Sequence, residues 1–398
     1  TPAAFDIDFK HTQGASGTPD WHTVLIGGLG KGGKSFYALD ITDPASMTSE
    51  SVVAGKVLWE FTDTTMGYSY GIPVVVKTVK YGWVVIVTSG YNNADNFGYI
   101  YFINPKTGAL LEKVKTPSLS HGLTQASAFV KDFSDETADS VYVGDLDGQV
   151  WRFDLTGTPS SYPQPTLLAT VTDGSGVAQP ITTAPLIEIH PVTRKRYVLF
   201  GTGVLLAVTD VANSQIQSFY AILDGTASGF PIVSTPITRS NLTAITNAQL
   251  NNTATDGSVI PNPLVVGSLG WYTDLGLDTA SNIAWRVVLN PQAFNGIVTF
   301  ATSLTTATDP CSPQGSSRVY AIDYATVDSV LLPTVVTDPI PSYIQYGVAA
   351  INLRFTGANG SPEIVVGFAK GNPERVNASL TGTLATRILN WREIPTVE

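Results

Sequence analysis

Val141-Tyr142-Val143-Gly144-Asp145-Leu146-Asp147-Gly148-Gln149-Val150-Trp151-Arg152-Phe153-Asp154 reads as one β-hairpin. An apolar run enters an Asp-x-Asp-Gly turn, and a second run leaves it and ends in aromatic residues and Asp. Asp-Gly between two β-prone runs is a strong hairpin signal, and it explains the two carboxylates without a metal. The same arrangement recurs. Val24–Gly28 leads to Ser35–Asp40, Val84–Gly90 to Tyr99–Asn104, Tyr197–Gly201 to Ser218–Asp224, and Ile297–Ala301 to Arg318–Asp323. Ile364–Gly367 stands alone near the C-terminus.

The first runs begin at 24, 84, 141, 197, 297 and 364, so the steps are 60, 57, 56, 100 and 67 residues. A hairpin period near 60 fits a four-stranded sheet with long loops, which is a propeller blade. The 100-residue step has room for a further, divergent blade, and Leu264–Gly267 with Gly270–Asp274 are its expected strands. The expected architecture is all-β: a single β-propeller of six or seven blades, spanning 1–398 as one domain. Blades bury both faces, so their inner strands read as continuous apolar runs. Phe36, Tyr37, Tyr101, Phe102, Trp151, Phe153, Phe219, Tyr220 and Tyr320 are expected to pack between blades. Residues 226–262 are rich in Thr, Ser, Asn and Ala and read as a loop insertion, with a short helix over Leu242–Leu250.

Composition agrees with this reading and narrows the function. The 398 residues are 43% hydrophobic and only 14% charged, which excludes a disordered chain. There are 36 Gly and 25 Pro, favouring turns over long helices. The net charge of −10 is wrong for a nucleic-acid partner. The one basic cluster, Arg194-Lys195-Arg196, reads as a hairpin tip. No apolar run reaches about 18 residues, so no membrane span is expected. Cys311 is the only cysteine, so no intrachain disulfide can form. The chain begins Thr-Pro-Ala, with no initial methionine, and reads as an excised fragment.

No stretch carries recognisable catalysis. Gly28 to Ser35 satisfies the P-loop string GxxxxGK[ST], but the strand-like Phe36-Tyr37-Ala38-Leu39-Asp40 follows it where a phosphate-binding helix is required. A glycine-rich hairpin is the better reading. No nucleophile elbow is present. The densest acidic stretch is Lys131-Asp132-Phe133-Ser134-Asp135-Glu136-Thr137-Ala138-Asp139-Ser140. Calcium takes six to eight oxygens, and a solvated acidic turn is the alternative.

The chain resembles the C-terminal propeller of the PilY/PilC family, type IV pilus tip-associated biogenesis factors and adhesins. The resemblance rests on Trp21–Gly33, Phe36–Pro44, Val57–Phe61, Gly90-Tyr91-Asn92, Val141–Leu155, Asp309-Pro310-Cys311 with Gly315-Ser316-Ser317 and Tyr320–Asp323, and Asn390–Glu393. It implies a non-enzymatic factor that promotes pilus extension, opposes retraction and attaches to surfaces or host cells. It implies minor pilins and a host-cell or surface receptor as partners. It implies export through the periplasm to the cell surface and pilus tip, in association with the outer membrane. It also implies a calcium loop before Val141, with ligands at alternating positions. Asp135 and Asp139 match its fifth and ninth positions, while Lys131 and Phe133 stand at the first and third. A register one residue shorter would use Asp132, Ser134, Glu136 and Asp139. Asp132, Asp135 and Asp139 are therefore the candidate ligands of a degenerate site, with weak or no calcium binding expected.

The alternative from another class is a quinoprotein-type propeller dehydrogenase, because that fold is also a Trp-rich propeller. Its docking repeat ends Asp-x-x-Thr-Gly-x-x-x-Trp. Asn104-Pro105-Lys106-Thr107-Gly108 approaches it, but Glu112 stands at the Trp position. The adjacent Cys pair common in such enzymes cannot be supplied by one cysteine. The functional surface is expected on the loops, above all 226–262 and 302–317.

Overall fold

In the computed structural model, twenty-four strands among the described residues form six sheets. The structure describes residues 2–131, 137–156, 162, 164–226, 229, 236–250, 264, 267–305, 315–333, 340–356 and 363–380. Blade 1 is β1 (Ala3–Asp8), β2 (Trp21–Gly28), β3 (Phe36–Asp40) and β4 (Val57–Phe61). Blade 2 is β5 (Val74–Thr78), β6 (Gly82–Thr88), β7 (Phe97–Ile103) and β8 (Leu110–Leu119). Blade 3 is β9 (Ala126–Val130), β10 (Ala138–Gly144), β11 (Gln149–Asp154) and β12 (Thr166–Thr170). Blade 4 contains β13 (Leu186–Ile189), β14 (Lys195–Gly201), β15 (Ser218–Thr226), β16 (Thr243–Ile245) and β17 (Gly270–Asp274). Blade 5 is β18 (Gln292–Phe294), β19 (Ile297–Thr305), β20 (Gly315–Asp323) and β21 (Ile344–Tyr346). Blade 6 shows β22 (Ala350–Thr356), β23 (Glu363–Phe368) and β24 (Glu374–Val376).

Neighbouring strands pair antiparallel in chain order, except in blade 4, whose order is β13-β14-β15-β17-β16. The recurring hairpins of the sequence are the second and third strands of the blades. The first strands meet one another, β5 with β9, β9 with β13, β13 with β18 and β18 with β22. They therefore surround the axis, and the sheets radiate from them.

Gly270–Asp274 does not seed a blade of its own. It pairs antiparallel with β15, and Thr243–Ile245 joins it in parallel. The 100-residue step is thus an enlarged fourth blade, and the blade count among the described residues is six. Among the described residues α-helix is confined to two short pieces, α1 (Glu50–Ala54) and α2 (Asn247–Leu250), beside four single-turn 3-10 helices. The first half of the expected 242–250 helix is strand instead, because Thr243 and Ile245 turn inward onto the blade.

Strand alternation sends adjacent residues to opposite faces, so each blade feeds two inter-blade cores. Tyr101 packs with Ile26, Phe36 and Val85 between blades 1 and 2. Its neighbour Phe102 packs with Val84, Trp151 and Phe153 between blades 2 and 3. Likewise Tyr220 lies in the core of blades 3 and 4, and Phe219 in that of blades 4 and 5. There Phe219, Phe300 and Tyr320 stack at 3.8 and 4.5 Å. Each such buried side chain contributes about 1.5–3 kcal/mol. Tyr37 departs from the expectation: it is only half-buried.

Candidate functional site

The acidic stretch before β10 was the sequence's metal candidate. Asp139 lies on β10, and its carboxylate accepts the backbone N–H of Lys131 at 2.7 Å. This bond ties together the two ends of the connection between β9 and β10. Asp132 and Asp135, with Phe133, Ser134 and Glu136, lie outside the described residues. Among the described residues no group of three His, Cys, Asp or Glu side chains is placed to hold a metal. Two of the three candidate ligands lie outside the described residues, so no role is derived for calcium.

The Asp145–Gly148 turn is held by hydrogen bonds to its first carboxylate. Asp145 is fully buried and its carboxylate accepts from Ser120 at 2.6 Å, from the Asp147 and Gln149 amides at 3.0 and 2.8 Å, and from the Trp151 indole at 3.3 Å. Burial pushes its carboxyl up to about 7 against these donors. Gly148 has φ +72°, and a Cβ there would lie 2.4 Å from the Val171 carbonyl. Only glycine fits both demands.

The glycine-rich stretch Gly28–Ser35 joins β2 to β3 as a hairpin, with the Leu29 amide donating to the Ser35 carbonyl at 3.3 Å. The basic cluster is a hairpin end as expected, but only in part exposed. Arg196 is buried and its guanidinium lies 4.6 Å from the centre of the Phe129 ring.

The quinoprotein-like turn has an architectural use that the sequence reading missed. Asn104 accepts the Lys106 and Thr107 amides at 3.0 and 3.1 Å. The docking tryptophan comes from the preceding blade: the Trp59 indole on β4 donates to the Pro105 carbonyl at 2.8 Å. Trp271 on β17 repeats this, donating to the Tyr324 carbonyl in blade 5 at 2.9 Å. Asp323 there accepts the Ala325 and Thr326 amides, as Asn104 does in blade 2. Glu112, at the position searched for Trp, instead binds Lys80 at 2.7 Å and the Tyr81 hydroxyl at 2.8 Å. The signal was present as Trp59 and Trp271, each about fifty residues before its turn rather than within the same repeat.

Of the two expected functional loops, 302–317 is shorter than it reads. Pairing of Thr305 with Gly315 carries β19 and β20 outward, and 306–314, with Cys311, lies outside the described residues. The described part of 226–262 packs onto blade 4 and its two neighbours, Ile237 pairing with β12 of blade 3 and the Leu250 carbonyl accepting the Ser329 amide beyond β20. Ile237, Ile245 and Leu250 are buried. Arg239 grips Asp274 with two bonds of 3.1 and 2.8 Å and covers the Tyr272 ring at 3.9 Å.

A six-sheet propeller with this turn chemistry can be set against known proteins. A family model described as the PilY1 beta-propeller domain matches residues 10–257. The chain belongs to the PilY1 beta-propeller family. It is 30% identical over 346 residues to the type IV pilus biogenesis factor PilY1 of Pseudomonas aeruginosa, covering 76% of this chain and 29% of that protein. A PilY1 homolog of Xylella fastidiosa is 29% identical over 338 residues, covering 78% and 22%. The chain therefore spans less than a third of these relatives. The crystal structure of the Pseudomonas aeruginosa PilY1 C-terminal domain shares the fold with a TM-score of 0.71 at 24% identity, over 95% of this chain and 83% of that one. No helix among the described residues is long and apolar enough to cross a membrane.

Proposed function

We propose that this PilY1-type propeller is the non-enzymatic part of a type IV pilus biogenesis factor, acting at the pilus tip. The observation that carries the reading is the match to the PilY1 propeller family, supported by relatives named as pilus biogenesis factors. On this reading the domain promotes pilus extension, opposes retraction and serves as an adhesin for a surface or host-cell receptor. Minor pilins are its partners in the pilus. It works at the cell surface after export through the periplasm. Binding is assigned to the loops, which a rigid ring of blades holds in fixed positions. Calcium is expected to bind weakly or not at all.

The test is in-frame removal of the propeller from the full-length protein in its own bacterium. Surface pili and attachment should both fall. Unchanged piliation would remove the basis of the proposal. Shortening 226–262 and 306–314 together should lower attachment, and no loss would place the binding surface elsewhere.

A further inference from the structure

One end of the propeller axis holds a cavity of about 250 Å³. Its walls come from the strand entries and hairpin loops of blades 2 to 5, among them Tyr70, Tyr91, Gln125, Thr182, Leu206 and Val288. None of the described residues that line it carries a charge.

The polar side is built and braced. Gln125 donates from its amide to the Thr182 carbonyl at 3.3 Å, and Asn290 donates to the Gln125 amide oxygen at 3.2 Å. Asn290 in turn accepts the Ala184 amide at 3.0 Å. These bonds join the entries to the first strands of blades 3, 4 and 5. Thr182 spends its hydroxyl proton on the Gly203 carbonyl at 2.8 Å.

The apolar lining is Leu205, Leu206, Val288 and the rings of two tyrosines. Tyr70 and Tyr91 meet edge to face at 5.2 Å. Burial, with each ring's neighbour tyrosine, raises both hydroxyls above their ordinary range, so they remain donors at any physiological pH. Both rings line the cavity.

We propose that this cavity binds one uncharged six-membered-ring sugar, the terminal residue of a glycan. An ionised ligand would lose its hydration with no counter-charge in reach. An apolar peptide side chain would expel water from the tyrosine hydroxyls and give them no partner. A pyranose answers both sides: its C–H face packs on the tyrosines and Leu206, and its hydroxyls meet the polar groups. The volume lies below the ~300–1,000 Å³ of drug-sized sites and suits a single ring.

The experiment is saturation-transfer NMR on the 398-residue chain. The probes are methyl glycosides of glucose, galactose, mannose and N-acetylglucosamine, a sialoside as charged control, and a leucine-containing tripeptide. At least one neutral glycoside should receive saturation on its ring C–H protons, and the sialoside and tripeptide should not. Leu206→Trp, which fills the cavity, should weaken binding at least tenfold. Tyr70→Phe, which removes only a hydroxyl, should weaken it several-fold with the melting temperature unchanged. If Leu206→Trp fails to fold, Tyr70→Phe alone decides. The same glycan sequence on an array should then compete with the glycoside. No transfer to any neutral glycoside, transfer that survives the variants, or preference for the tripeptide overturns the proposal. These outcomes are independent of whether removal of the propeller affects pili.

Discussion

The Trp59 indole of blade 1 reaches across to blade 2 and donates to the Pro105 carbonyl at 2.8 Å. Gly108, with φ +71°, lets the turn fold over that ring; a Cβ there would come within 2.5 Å of the Trp59 Cβ. Trp59→Phe should lose this bond and part of the packing and cost about 1–3 kcal/mol in urea unfolding. Gly108→Ala should cost at least as much, through both the positive φ and the clash. Equal stability of both variants to the parent would show that the indole is not a blade clamp.

A buried ion pair secures the next junction but one. Arg152 on β11 and Tyr142 on β10 both donate to Asp224 on β15, and Asp224 is wholly buried. Asp224→Ala leaves these donors facing each other in a dry interface. The expected loss is about 3–5 kcal/mol, measured by denaturant unfolding. A loss under about 1 kcal/mol would mean that water or another acceptor replaces the carboxylate.

Glu188 on β13 gives a pH dependence. Burial pushes its carboxyl from its ordinary 4.5 up to about 7. The folded value lies above the unfolded one, so this contribution is fully present below about pH 4.5 and is lost as pH rises through about 7. Glu188→Gln should therefore gain on the parent between pH 4.5 and 8, by up to about 3 kcal/mol. A stability difference that stays constant across this range would contradict the assignment.

Asp139 is expected to act through the Lys131 amide rather than through calcium. Asp139→Ala should lower the melting temperature by the same few degrees with calcium or with chelator present. Calorimetry on the parent should show no tight calcium binding. Micromolar binding that Asp139→Ala abolishes would make the loop a working metal site.

The propeller was legible because its hairpins repeat. Paired runs such as Val141–Gly144 with Val150–Asp154 carry both the strand pattern and the turn, and five such pairs set the period. Blade 4 was misread because Gly270–Asp274 reaches its sheet only after a long excursion, and nothing local says that it pairs with β15. The Trp59 and Trp271 clamps were missed because each ring and its turn lie in different repeats. The axial cavity could not be read at all, since Tyr70, Gln125 and Leu206 are far apart in the chain and meet only when the blades close around the axis. The acidic stretch showed its carboxylates plainly, yet the amide that engages Asp139 belongs to the backbone, which composition does not reveal.

The most direct test of the central claim uses the same propeller deletion in two backgrounds, with and without the pilus retraction motor. Surface pili are counted by shear recovery. The account predicts that the deletion abolishes surface pili when the motor is present and that pili return when the motor is removed. Normal piliation in the presence of the motor would contradict it, and so would pili that stay absent without the motor, which would deny the role against retraction.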